Sequence, residues 1–306
     1  MRILKVVYIK ETQKTCDFVK RIVTKIKCFF NIINVENKSD KIIYNLPIFY
    51  NENKSKNKLE KLSKRIIKSL EEDGINNVVL SKYLSDSNEL KNCLYSKNIN
   101  ILNGRYLFKC LIKETIIYIL KIRNEDIKRT EISMLVNDFN EFNQNLVIDI
   151  AKEVKALNII TNHINKWKKV EENLYNEYGI LINISNNKKS SLACSKIIFN
   201  LDFPSEIINQ YKIYDMAIIV NILEKVQIKS KKFSGINVNY FEIKMPKKYK
   251  LDCFKNELVY ESMIYKKELY KARKIILNDK IKIKKLIGNN GIIKENEFNT
   301  KHLTKF

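Results

Sequence analysis

The residues of this chain best placed for chemistry stand just behind short apolar runs. Asn137, Asp138 and Asn140 follow ISMLV, Asn162 and His163 follow LNIIT, Ser185 and Asn186 follow ILINI, and Asn200 and Asp202 close KIIFNLD. If each run is a strand of a parallel sheet, these side chains gather at the strands' C-terminal ends, where open α/β sheets hold their ligands. Amides, a hydroxyl, carboxylates and one imidazole suit hydrogen-bonded recognition of a small molecule or nucleotide better than covalent catalysis, and no catalytic residue is assigned. A second reading uses the same residues differently, because Asn and Asp at the start of a helix cap its exposed N–H groups. Asn137, Asp138 and Asn140 fit that role as well.

Several chemistries are excluded. The six cysteines include no CxxC pair, and only two histidines, His163 and His302, are present, so no metal site is expected. Such cysteines are small buried thiols of a reducing compartment, and a cytoplasmic location is expected. The sequence holds no P-loop, no G-x-S-x-G elbow and no H-E-x-x-H helix. SNNKKSS (185–191) has lysines and serines that could hold a phosphate, and Lys82 with the Asn103, Gly104, Arg105 turn also follows apolar runs.

The runs themselves set the architecture. ISMLVND, LNIITN, ILINISNN, KIIFNLDF and MAIIVNIL between Glu131 and Leu223 are short and rich in Ile and Val. Two helix-length segments separate the first three. One places Phe142, Leu146, Ile150 and Val154 on a single face, and the other does so with Trp167, Val170, Leu174 and Tyr178 before Gly179. Strands buried on both faces and joined by amphipathic crossovers make a parallel sheet covered by helices. GINVNYFEI is read as a sixth strand.

Before this array, ILKVVYI, KIIYNLPIFY, NNVVLS and NINILN read as strands, with Pro47 placing its strand at a sheet edge. Helices are expected from Thr12 to about Phe29, from Leu59 to Asp73 with Gly74 as cap, over 85–98, and as one long segment from Tyr106 to Arg123. Residues 1–128 then form an N-terminal α/β domain and 129–248 the parallel-sheet domain. Residues 249–306 form a basic C-terminal segment, read as helical to Ile287 and poorly packed around Gly288 and Gly291.

ISMLVND with its crossover helix, LNIITNHINKWKKVEENLYNEYG, and SKIIFNLDFP followed by MAIIVNI resemble the Rossmann-type domain of shikimate dehydrogenases and glutamyl-tRNA reductases over residues 130–245. That resemblance implies an N-terminal α/β domain, a Rossmann-like domain and a C-terminal helix packing back on the first domain. It also implies NAD or NADP as cofactor, and a Lys–Asp pair in the first domain that no stretch of this sequence matches. The turn that should cradle a pyrophosphate reads Val136-Asn137-Asp138-Phe139-Asn140-Glu141-Phe142 and has no glycine. Asp138 and Glu141 put negative charge where phosphates would lie, and Phe139 adds bulk. The second run ends in Asn162 and His163 where an acid would hold the ribose hydroxyls.

The net charge of +23 raises nucleic acid as a partner, with Lys266, Lys267, Lys271, Lys274, Lys282, Lys284 and Lys285 as its candidate stripe. Abundant Ile and Asn beside scarce Gly, Pro and Ala favour a codon bias as the source of many lysines, so this partner is not favoured. No apolar stretch reaches the ~20 residues that span a bilayer, and no membrane association is expected. Three functions follow: a binding or regulatory protein with a degenerate Rossmann-like fold taking a small-molecule or nucleotide ligand in the interdomain cleft, an NAD(P)-dependent oxidoreductase with an atypical phosphate loop, or a polyanion binder. None of these fixes an oligomeric state, and no cofactor is assigned.

Overall fold

The computed structural model describes residues 5–12, 32–38, 41–49 and 56–300. The helix expected from Thr12 to Phe29 lies almost wholly outside them, as do the last residues, 301–306. The chain groups into two compact units. One holds the described residues up to Gly104 with Lys247–Met263, and the other holds Arg105–Pro246 with the described residues from Ile264 onward. This grouping differs from boundaries at 128 and 248, because the helices after Gly104 join the second unit.

The first unit is built on β1 (Val6–Thr12), β2 (Asn34–Lys38), β3 (Lys41–Phe49), β4 (Asn77–Leu80) and β5 (Asn100–Ile101), with helices α1 (Lys56–Glu72) and α2 (Asn88–Tyr95). The sheet order is β2-β3-β1-β4-β5, all parallel except β2, which forms an antiparallel pair with β3. Leu62, Ile66, Ile67 and Leu70 form the buried stripe of α1, and Gly74 ends it at φ +63°. The Ser87 side chain accepts the Leu90 N–H to cap α2. Pro47 does not mark an edge strand, since β3 lies between β2 and β1. β2 pairs no further than Asn45, and the β1 register jumps from Leu46 to Phe49, so the proline sits in an irregularity where its missing N–H leaves no ladder bond unmade.

The second unit begins with α3 (Arg105–Cys110) and α4 (Ile112–Arg123), expected as one helix and interrupted at Leu111, whose N–H is shared between Leu107 and Phe108 carbonyls. Then follow β6 (Glu131–Leu135), α5 (Glu141–Ala151), β7 (Ala156–Ile160), α6 (Ile164–Tyr178), β8 (Ile182–Ser185), β9 (Ile197–Asn200), the short α7 (Ser205–Ile208), β10 (Ile218–Asn221) and β11 (Ile236–Val238). All pair in parallel in the order β8-β7-β6-β9-β10-β11. Numbered within the unit this is 3-2-1-4-5-6, the doubly wound order of Rossmann domains, so the unit is Rossmann-like. β9 and β10 are buried at every residue, and β6 at every residue after Glu131, which is why their sequences run apolar without alternation.

The sequence GINVNYFEI divides between two sheets. Asn239 separates β11 from β12 (Tyr240–Lys244), and its N–H donates to the Ile287 carbonyl. After α8 (Asn256–Ile264), which groups mainly with the first unit, come α9 (Leu269–Asn278), β13 (Lys282–Gly288), β14 (Gly291–Ile292) and α10 (Glu295–Thr300). β12, β13 and β14 form an antiparallel sheet, so the tail is not helical to Ile287. Ile283 and Leu286 are both buried at a three-residue spacing that mimics a helix, and a register irregularity opposite Glu242 and Ile243 lets a strand carry it. Gly288 and Gly291 are the ends of a hairpin turn, and Gly291 supplies its positive φ of +104°. Lys271 and Lys274 are thus on a helix, Lys266 and Lys267 precede it, and Lys282, Lys284 and Lys285 are on a strand. Among the described residues no helix is long and apolar enough to cross a membrane.

Candidate functional site

The C-terminal ends of β6, β7 and β9 meet where the strand order reverses, the place at which a doubly wound sheet opens its crevice. Val136 extends the ladder by donating to the Ile160 carbonyl, and Leu201 donates to the Leu135 carbonyl. The next two N–H groups of the turn have nowhere to go in the sheet. The Asp202 carboxylate takes both: Oδ1 accepts from Asn137 N at 2.8 Å and Oδ2 from Asp138 N at 2.7 Å.

Further polar groups of the turn are committed as well. Asn137 Oδ1 accepts from Asn162 N at 2.8 Å and from Thr161 Oγ1 at 3.4 Å, tying β6 to β7. Asn140 is the N-cap of α5, with Oδ1 accepting from Asn143 N at 2.9 Å, while its Nδ2 donates to Asp138 Oδ2 at 2.6 Å. Asn143 Nδ2 closes the loop on the Asp138 carbonyl at 2.6 Å. The capping reading therefore describes Asn140, whereas Asn137 is a cross-strand tie.

Around this turn lie aromatic and cationic side chains. The Phe139 ring meets Trp167 edge-on at 5.2 Å, and Phe142 packs beside Tyr106 at 5.7 Å. Lys109 Nζ stands 4.8 Å from the Phe142 ring centre. Burial pushes the Lys109 ammonium below its usual value, and the neighbouring Asp138 and Asp202 oppose that shift. Burial likewise pushes the Asp202 carboxyl up, against the two backbone N–H groups and Lys109, which hold it down. Lys109 and the two aspartates thus act on one another's charge.

Other candidates fall into separate places. Asn162 and His163 are exposed; the Asn162 backbone joins the turn, and the His163 backbone N–H donates to Thr161 Oγ1 at 3.1 Å. Ser185 Oγ meets Ser191 Oγ at 2.8 Å and accepts from Asn187 N, which folds the SNNKKSS loop on itself, with Asn186 exposed. Lys82 Nζ reaches the Asp252 carbonyl at 3.5 Å. Arg105 Nη1 donates to the Asn221 and Ile222 carbonyls at 3.2 and 3.1 Å.

Asn200 is buried and belongs to a row of asparagines across the strand ends. Its Nδ2 donates to Asn221 Oδ1 at 3.1 Å, and Asn221 Nδ2 donates to Asn237 Oδ1 at 2.7 Å and Asn239 Oδ1 at 3.1 Å. Asn239 Nδ2 continues to Asn289 Oδ1 at 2.6 Å. Lys109 and the members of this row other than Asn200 were missed in the sequence. The row had a signal, because IIFN and IIVN each end a strand in asparagine and INVN places one directly after its strand. Lys109 had none beyond standing one helical turn after Arg105.

The turn can therefore bind an anion, and the anion present is the chain's own. A pyrophosphate placed there would have to displace Asp202 and lie beside Asp138. Two like charges 4 Å apart repel by about 1 kcal/mol in water and about 4 kcal/mol near a protein surface.

No family model matches the sequence, and no curated protein matches it. Among solved structures, the chain is similar to an L-tryptophan dehydrogenase from Nostoc punctiforme, at 12% identity over 90% of this chain and 80% of that one, TM-score 0.35. A shikimate dehydrogenase in complex with NADP+ aligns at 10% identity over 97% and 94%, TM-score 0.35. A dipicolinate synthase chain from Bacillus halodurans aligns at 9% identity over 72% and 84%, TM-score 0.37.

Proposed function

We propose that this is a binding or regulatory protein whose Rossmann-like unit does not take NAD or NADP at the usual place. The observation that carries the reading is the Asp202 carboxylate accepting both N–H groups of Asn137 and Asp138. A dinucleotide gains much of its affinity from backbone donors at the first turn after the first strand. Here those donors are satisfied internally, the turn has side chains in place of glycines, and Asp138 repels a second anion. A ligand at the crevice would be neutral or cationic in the part that meets Asp138 and Asp202, with Lys109 and Phe142 beside it. Fold alone does not specify chemistry, and an oxidoreductase on the same scaffold is the competing reading.

Titration calorimetry with NAD, NADP, NADH and NADPH separates the two. No saturable heat is expected up to millimolar dinucleotide. Saturable binding of any of the four at micromolar concentration overturns the proposal in favour of the oxidoreductase.

A further inference from the structure

A different part of the second unit holds a cavity of about 1370 Å³ walled by α4, α5, α9, β13 and α10. Its size exceeds the ~300–1,000 Å³ usual for a small-molecule site. Ile117, Ile122, Ile276 and Leu277 supply apolar wall from two facing helices. A shallower groove of about 620 Å³ shares Asp149, Lys152, Arg273 and Leu277 with it, and Leu277 is 68% exposed where the two meet.

Arg273 is the residue that needs an explanation. Its side chain is only 13% exposed, and Nη1 donates to Asp149 Oδ2. Nε and Nη2 are buried and meet no acceptor among the described residues. Those two atoms form the side edge of the guanidinium, the edge whose parallel N–H groups match the two oxygens of a carboxylate. Leaving such donors buried and unmatched costs about 1–3 kcal/mol each, so the site is built at a loss unless something accepts from them. Glu114 Oε2 on the same wall is also buried without a partner. Burial pushes that carboxyl up, opposed by Arg273 and Lys113.

Six cations and four acids line the cavity, and the Lys113–Glu153 pair, at 2.7 Å, neutralises one of each. The surplus of two cations suits an anion, and the single two-donor edge of Arg273 matches the two oxygens of one carboxylate. We propose that this cavity binds an aliphatic monocarboxylate, with its head on the Nε–Nη2 edge of Arg273 and its chain along Ile117, Ile122, Ile276 and Leu277. The inference is independent of whether the crevice beside Asp202 takes a dinucleotide.

Calorimetry on the full chain with hexanoate, octanoate, decanoate and decanol tests it. Decanoate should bind saturably, affinity should fall about fourfold for each methylene removed, and decanol should bind at least tenfold more weakly. Arg273→Gln should weaken decanoate by tenfold or more and leave decanol unchanged. Leu277→Asp, at an exposed position that folding does not depend on, should weaken both. The proposal is overturned if decanoate does not saturate at millimolar concentration, if decanol binds as well as decanoate, or if folded Arg273→Gln retains decanoate affinity. Should Arg273→Gln not fold, unchanged decanoate binding by Leu277→Asp overturns it alone.

Discussion

Asp202→Asn isolates the contact on which the site rests. The amide keeps the shape of the side chain and one acceptor, so one of the two N–H bonds, at 2.8 and 2.7 Å, survives as a neutral bond. The other N–H then faces an NH2 group, donor against donor. A hydrogen bond to a charged acceptor contributes ~1.5–3 kcal/mol and a neutral one ~1 kcal/mol. Asp202 is half-buried, and burial already disfavours its charge, so part of the loss is offset by removing a poorly solvated carboxylate. The net expectation is a loss of about 1–2 kcal/mol, or about 2–8 °C in Tm for a unit of this size. pH supplies a second readout. The Asp202 carboxyl is raised in the folded state, so the native chain binds more protons than the unfolded one between the two values. This contribution to stability is fully present below the unfolded value and is lost as pH rises through the folded one. In Asp202→Asn that segment of the pH–stability curve should flatten. Hydrogen exchange read by mass spectrometry should show faster exchange over residues 136–140 and at Asn162, whose N–H depends on the Asn137 side chain. Unchanged exchange over 136–140 together with an unchanged melting curve would refute the reasoning, since the turn would then hold without its carboxylate.

Two further substitutions probe what places these strand ends. Asn221→Leu keeps the branching of the side chain but strips a partner from Asn200, Asn237 and Asn239; urea unfolding should show a loss of about 2–4 kcal/mol. Gly235→Ala puts a Cβ 2.1 Å from the Ala217 carbonyl oxygen and 2.9 Å from its nitrogen, backbone atoms that cannot give way without breaking the start of the β10–β11 pairing. Its cost should be about 3 kcal/mol or more, seen as a lowered urea midpoint or failure to recover folded protein.

The parallel sheet was legible because its cause is local. A strand buried on both faces must be largely apolar, and residues 134–136, 197–199 and 217–220 are so without a break. Gly74 and Gly179 were legible as caps for the same reason, each acting within a few residues. The tail was misread because Ile276, Ile283 and Leu286 satisfy a helical spacing over a stretch that changes element at Lys280, a residue at φ +53°. A strand irregularity produces a three-residue step between buried positions as readily as a helix does, and only the partner strand, 40 residues earlier in sequence, decides between them. Pro47 was misplaced by the same kind of error: the rule confining proline to edges concerns ladder bonds, and the bond it would break was absent on both sides.

The site shows the same division between local and distant causes. Asn140 could be assigned its cap from position alone, since the N–H it accepts is three residues away. Asp202 could be named only as a residue at a strand end, because its partners lie 65 and 64 residues earlier. Seen with those partners, the missing glycines and the aspartate have one cause. A turn that receives a pyrophosphate needs glycine because a bulky ligand must approach the backbone closely. A carboxylate delivered from the neighbouring strand arrives edge-on through a single side chain and reaches both N–H groups with Asn137 and Asp138 in place. Glycine would weaken such a turn, removing the Asn137 amide that ties β6 to β7 and the Asp138 carboxylate that receives Asn140. On this argument, restoring glycines at 137 and 138 while Asp202 remains would loosen the strand ends without creating an anion site, and removing Asp202 is the step on which any gain of phosphate affinity depends.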